Sequence, residues 1–394
     1  MRNCRDICKS CEYKIRCGGC SVCEVLLCKS NCNFCSVICF KKTGISEYID
    51  SFGGLNIKIN KNNFIYEKLP TNIPVIQERI GSLIKEKDLD YVVVNAGNIL
   101  STNGESVRKK YKDIDIVKSM NLKNGTKTIL EFYIKDRFLE GFWDQRFDHY
   151  KNLKKLKFNY IITPNFSVYD DLPRIDHLYN IKRSSIIYNE LIDNNINAIP
   201  DIGWFNARDL EIWIEEINRN DIKLISFSFQ NVGVALKPSN IWKQNLLGLR
   251  YLCSNIKTDV DILIVGVASP FRILEIYKSI EKSNRLIILN QTAFIHSRKG
   301  MLSEYREVNS SMTFDEIFSK NISYYNNIYD NAYDSEDILN ISRLSKKDLI
   351  NFHKKYSEKS DSKESDYIYR FLRRCLKKKH VKEESLSQNQ EEVL

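Results

Sequence analysis

From Tyr91 onward, short apolar runs rich in β-branched residues recur along the chain. They are Tyr91-Val-Val-Val94, Thr128–Ile134, Tyr160-Ile-Ile-Thr163, Ala198–Ile202, Lys223–Phe229, Asp261-Ile-Leu-Ile-Val265 and Leu286-Ile-Ile-Leu289. Runs of this length bounded by turn residues predict buried strands. Between them the period changes to that of a helix: Arg183–Ile192, Asp209–Ile217 and Phe271–Ile280 each place apolar residues three or four apart. Strand and helix alternating every ~25–40 residues is the signature of right-handed βαβ units and a parallel sheet. With an eighth strand expected at the alternating run Leu55-Asn-Ile-Lys-Ile59, the count fits an α/β fold of the (β/α) TIM-like barrel type. A six-stranded doubly wound sheet is the alternative.

A second pattern precedes the first. Ten of the twelve cysteines lie at Cys4, Cys8, Cys11, Cys17, Cys20, Cys23, Cys28, Cys32, Cys35 and Cys39, leaving Cys253 and Cys375 isolated. Thiolates two residues apart in a turn converge on one soft metal centre, and four such pairs occur here. The chain opens Met-Arg-Asn-Cys with no apolar leader, so the expected compartment is the reducing cytoplasm and metal binding is expected over disulfides. No histidine precedes His149, which makes an all-sulfur shell the expectation. The run Cys17-x-x-Cys20-x-x-Cys23 followed by Cys28 favours an iron–sulfur cluster, with zinc as the alternative.

The expected organisation is therefore a cysteine-rich metal-binding module over 1–42 and a connector with short strands over 43–90. A barrel-like domain follows over 91–312, then C-terminal helices over 313–356 and a charged, partly disordered tail over 357–394. Composition adds little to this picture. Of 394 residues, 43% are hydrophobic and 28% charged, as in ordinary globular domains. No apolar stretch approaches the ~18 residues that span a bilayer, so no membrane partner is expected. Sixty Lys and Arg against fifty Asp and Glu give +10, which attracts polyanions without specifying one.

In a parallel barrel the chemistry sits where strands end and βα loops begin. Those positions are polar here. Asp201, after Ile199-Pro200 and before Gly203-Trp204, is the candidate base or nucleophile, with the Trp204 indole as a stacking face; capping a turn is its structural alternative. Asp170 and Asp171 are candidates to assist, although adjacent side chains diverge and only one of the two can face a given atom. Candidate ligand-binding residues are Asn95, Asn165, Gln230, Asn290 and Gln291, with Ser269, Arg272 and Arg298 for an anionic group beside the small-residue turn Gly266-Val-Ala-Ser-Pro270. Phe142, Trp143 and Phe147 lie among Arg137, Arg146 and His149; aromatics at these offsets anchor a helix to its core or offer a stacking surface.

Three loop segments carry a resemblance: Ile162-Thr-Pro-Asn-Phe-Ser-Val-Tyr-Asp-Asp-Leu-Pro173, Tyr179-Asn-Ile-Lys-Arg183 and Ile199-Pro-Asp-Ile-Gly-Trp204. They resemble an uncharacterised family of phages, mobile elements and bacteria known as domain of unknown function 4417, over roughly Tyr91 to Met301. That resemblance implies no activity. A fainter one, through Val265-Gly-Val-Ala-Ser-Pro-Phe-Arg-Ile-Leu-Glu275 and His296–Met301, is to the tRNA-guanine transglycosylase barrel, and implies a site that handles a base.

Taken together, the sequence leads to a metal-binding α/β barrel that acts as an enzyme on a nucleotide or nucleic-acid base. Its rivals are a nucleic-acid-binding accessory protein with an inert barrel, and an iron–sulfur redox or radical enzyme.

Overall fold

The computed structural model describes residues 49–64, 66–77, 89–169, 174–230, 240–280, 284–304 and 307–331. The ten clustered cysteines lie outside these residues, as do Asp170, Asp171 and the tail. Eight strands form one parallel sheet: β1 (Asn72–Ile76), β2 (Tyr91–Asn95), β3 (Lys127–Glu131), β4 (Tyr160–Ile162), β5 (Ala198–Ile199), β6 (Leu224–Ser228), β7 (Asp261–Val265) and β8 (Arg285–Asn290). Their order runs β5-β4-β3-β2-β1-β8-β7-β6. The two ends meet through a single parallel bridge between Asp201 and Ser226. Its hydrogen bonds run from Ser226 N to Pro200 O and from Ile202 N to Ser226 O, both 2.9 Å. The fold is an eight-stranded parallel barrel, TIM-like as the strand–helix rhythm predicts.

Helices follow the strands around the outside. They are α1 (Ala96–Ile99), α2 (Ile116–Ser119), α3 (Asp136–Asp144), α4 (Arg146–Leu156), α5 (Arg174–Asp193), α6 (Ala207–Asn220), α7 (Asn240–Asn255), α8 (Pro270–Tyr277), α9 (Gln291–Arg298) and α10 (Phe314–Asn331). A two-stranded antiparallel ribbon, β9 (Met301–Leu302) with β10 (Glu307–Val308), separates the last two. Strand alternation divides the core in two. Ile73, Val93, Ile129, Ile162, Leu263 and Ile287 fill the lumen, while Val92, Val94, Leu130, Ile161, Ile262 and Ile288 face the helices. Being buried on both sides, these strands read as continuous apolar runs rather than alternating ones.

The first strand is not where the alternation at Leu55–Ile59 suggests. Leu55, Ile57 and Ile59 are indeed buried, but the segment pairs with no strand. It lies across the helical layer instead, with Ile59 N donating to Glu216 of α6 at 2.9 Å and Asn60 N to Asn189 of α5 at 2.8 Å. The strand is Asn72-Ile-Pro-Val-Ile76, inside the stretch read as connector, and its Pro74 hides it from a propensity reading.

An ion pair links β7 and β8 at the end of the barrel where strands begin. Arg285 Nε donates to Asp261 Oδ2 at 3.1 Å, and the Tyr66 hydroxyl donates to the same carboxylate. Charges locked together at the N-terminal end of the strands serve stability. Among the described residues no helix is long and apolar enough to cross a membrane.

Candidate active site at the strand ends

The inward positions of β3 continue past the strand as Ile129, Glu131 and Tyr133, so two polar groups enter the lumen on the alternation that supplies its apolar filling. Glu131 is 3% exposed. Its Oε1 accepts from Asn95 Nδ2 at 2.6 Å and its Oε2 from Tyr133 N at 2.9 Å. Burial pushes its carboxyl up to about 7, and the two donated hydrogen bonds restrain the rise.

Asp201 lies at the seam between β5 and β6 and is 1% exposed. Both of its oxygens are engaged: Oδ1 accepts from the Tyr133 hydroxyl and Oδ2 from Asn165 Nδ2 at 2.5 Å. Burial raises this carboxyl to about 6, against hydrogen bonds from Tyr133, Asn165 and Ser226 that lower it. Burial, and then the charge of Asp201, hold the Tyr133 phenol well above its ordinary range, so it serves as a hydrogen-bond donor. Ser226 Oγ is 2.6 Å from the same phenol oxygen. Tyr133 thus touches both carboxyls, one through its backbone and one through its ring.

A cavity of about 90 Å³ opens at this end of the barrel, lined by Glu131, Gln230, Gly266, Val265, Leu289 and Gln291. That is room for a few waters, and the cavity opens to solvent. Gly266 is left-handed at φ +83°, and a Cβ on it would lie 2.7 Å from Gln230 N, so the β6 and β7 loops meet there only because the side chain is missing.

The sequence-derived candidates separate in space. Asn95 donates to Glu131 and Gln230 and Gln291 share its cavity, whereas Asn165 and Asp201 reach it only through Tyr133. Asn290 faces outward and caps α9, its Oδ1 accepting from Thr292 N at 3.0 Å and Ala293 N at 3.1 Å. The Trp204 indole lies where a Cβ on Gly248 would be, 2.4 Å away, and its ring centroid is 6.2 Å from that of Phe227, which fixes the β5 loop onto α7. Ser269 precedes α8, its carbonyl accepting from Ile273 N at 2.9 Å. Arg272 lies 4.1 Å over the Trp242 ring and pairs with Glu275 at 3.1 Å. Arg298 ends α9, about 10 Å along the axis from Gln291, and is exposed. Phe142 and Trp143 are buried and anchor α3, whereas Phe147 is 57% exposed.

Glu131, Tyr133 and Ser226 are the functional candidates that the sequence reading passed over. A carboxylate at the centre of Thr128-Ile-Leu-Glu-Phe-Tyr-Ile134, on the inward alternation with Ile129 and Tyr133, is the signal that marks Glu131.

The loop that carries Asn165 is tied down by the segment used for the family resemblance. Ser167 Oγ donates to Asp136 Oδ1 at 2.6 Å and the Tyr169 hydroxyl to Asp136 Oδ2 at 2.9 Å. The Phe166 ring lies 3.9 Å from the Arg183 guanidinium, which forms a two-pronged pair with Glu140. Among the described residues no cluster of His, Cys, Asp and Glu has the arrangement of a metal site.

These features define an eight-stranded parallel barrel with two buried carboxyls at its C-terminal mouth, where barrels of this type hold their functional groups. Residues 105–282 match the family model described as Domain of unknown function (DUF4417), a span running from before β3 to beyond β7 that takes in Glu131, Tyr133, Asn165 and Asp201. No curated protein matches the chain.

Proposed function

We propose that this protein is a barrel enzyme that transfers a proton to or from a nucleobase-like ring, free or within a nucleotide, with Glu131 as the acid–base group. The observation that carries the reading is Glu131 itself: a buried carboxyl, its pKa raised to about 7, that lines the mouth cavity together with Gln230 and Gln291. A group that titrates near the working pH is suited to both halves of a proton transfer. Carboxamides present a donor and an acceptor side by side, the pattern that matches the edge of a base. In this reading Asp201, which does not line the mouth cavity, does not attack the ligand. It orients Tyr133, and Tyr133 in turn orients Glu131. Asn95 and Asn165 hold the two carboxyls in place.

The cysteine-rich segment belongs to the same proposal as an all-sulfur metal module of Cys4 to Cys39, binding iron–sulfur or zinc. Metal and acid-labile sulfide content of protein purified without oxygen decides between them.

The proposal is tested by calorimetric binding of the common bases and nucleosides, followed by mass-spectrometric detection of deuterium that proton removal and return carries from D2O onto a ring carbon. At least one should bind and turn over, and Glu131→Gln should slow turnover by about 100- to 10,000-fold while keeping binding. No binding by any of them, or unchanged turnover in the variant, removes the assignment.

A further inference from the structure

Away from the mouth, the flank of the barrel formed by α4 and the loop before α2 gathers positive charge. Lys151, Lys154, Lys155 and Lys157 end the β3-to-β4 crossover, and Lys109, Lys110 and Lys112 lie in the neighbouring loop. Lys155 Nζ reaches Asp113 Oδ1 at 2.6 Å, which brings the two groups onto one surface. Asp113 and Asp148 partly neutralise the patch, the latter through Lys151 at 2.8 Å. Lys109, Lys154 and Lys157 make no ion pair with any described residue. The negative end of α4 accounts for lysines in its last turn, but not for those on the adjoining loop.

Two exposed apolar side chains accompany the lysines: Phe147, 57% exposed, and Ile114, 44% exposed. Phe147 stands one helical turn before Lys151 and two before Lys154, on the outward side of α4. The Arg146 guanidinium, 4.4 Å from its ring centroid, holds that ring in place. A fixed, exposed aromatic heading a row of cations is the arrangement that takes a single nucleic-acid strand, with a base stacked on the ring and phosphates along the lysines.

We infer that this flank binds single-stranded nucleic acid through Phe147 and the lysines of α4 and the 109–112 loop. The inference does not depend on the chemistry assigned to Glu131, and the two are separable by experiment. The test uses the full chain and a fluorescent, mixed-sequence, single-stranded 20-mer, with anisotropy read at several salt concentrations. Engaging about three phosphates gives a log–log salt slope near −2, so affinity should fall about 15-fold between 50 and 200 mM salt. The triple change Lys109→Ala, Lys154→Ala, Lys157→Ala should weaken binding at least tenfold, and Phe147→Ala separately by about fivefold or more, while Glu131→Gln binds as wild type. Unchanged oligonucleotide affinity in both lysine and Phe147 variants would overturn the inference by placing the contact elsewhere on the chain. Binding to anionic lipid vesicles in place of the oligonucleotide would overturn it as well.

Discussion

The side-chain amide of Asn95 donates to Glu131 Oε1 at 2.6 Å, although each residue comes from a different strand. They are register partners in the β2–β3 ladder, directly opposite one another at its end. The carbonyl of the same amide accepts from Gly97 N at 3.0 Å and caps α1. One side chain therefore starts a helix and fixes the orientation of a buried acid.

Replacing Asn95 with alanine removes both contacts. Loss of the cap should destabilise the protein by about 1–2 kcal/mol. The Glu131 carboxyl, deprived of a donor that favours its charged form, should then titrate above its present value of about 7. Carbon-13 NMR of the glutamate carboxyls across a pH series reads this directly, and an unchanged titration would dissociate Asn95 from Glu131.

Glu131→Gln should stabilise the protein in alkali. A folded-state carboxyl raised from 4.5 to about 7 binds more protons than the unfolded chain between those values, so stability falls as pH rises through that window. Above it the penalty is complete, and the neutral side chain avoids it. Denaturant unfolding at pH 8 should show a gain of roughly 1–3 kcal/mol for the variant, with the advantage gone at pH 4. A loss of stability at both values would make the carboxylate a structural anchor.

His149 should act in the opposite sense. It is buried, stacked on Phe142 with centroids 4.7 Å apart, and its Nε2 lies 2.8 Å from Gly104 O. Burial holds its pKa below the ordinary value, with the Gly104 carbonyl pulling the other way. The folded state therefore binds fewer protons than the unfolded one, and stability is lost as pH falls below about 6.5. His149→Phe keeps the stack and removes the titration. Its stability relative to wild type should improve steadily between pH 7.5 and 5.5, as measured by denaturant midpoints.

Gly266→Ala should damage the mouth more than the fold. The new methyl meets Gln230 N and Cα at 2.7 and 2.8 Å, on a backbone that side chains rarely adopt. A cost of about 1–3 kcal/mol is expected from the strain. The displaced Gln230 narrows the cavity, so the ligand found for the wild type should bind at least tenfold more weakly by calorimetry.

Much of the barrel was legible because parallel strands buried on both faces announce themselves as apolar runs. Seven were located that way. The eighth was displaced by two local effects. Pro74 masks Asn72–Ile76, and the alternation of Leu55, Ile57 and Ile59 reflects packing across α5 and α6 rather than pairing in a sheet. Asp201, Asn165 and Asn95 could be proposed because they follow strands, and loop starts are where a barrel presents polar groups. Glu131 escaped notice because it sits inside a run that was counted by its apolar members. Which amides face the cavity and which cap helices depends on side-chain direction, and that distinction separates Gln291 from Asn290, neighbours in the chain.

The single Asp201–Ser226 bridge makes this seam the most sparsely paired line of the cylinder. The amides of Ser226 and Ile202 close that line, and Ile202 adjoins the carboxyl that accepts from Tyr133. Hydrogen exchange at those two amides reports how often the wall parts along this line.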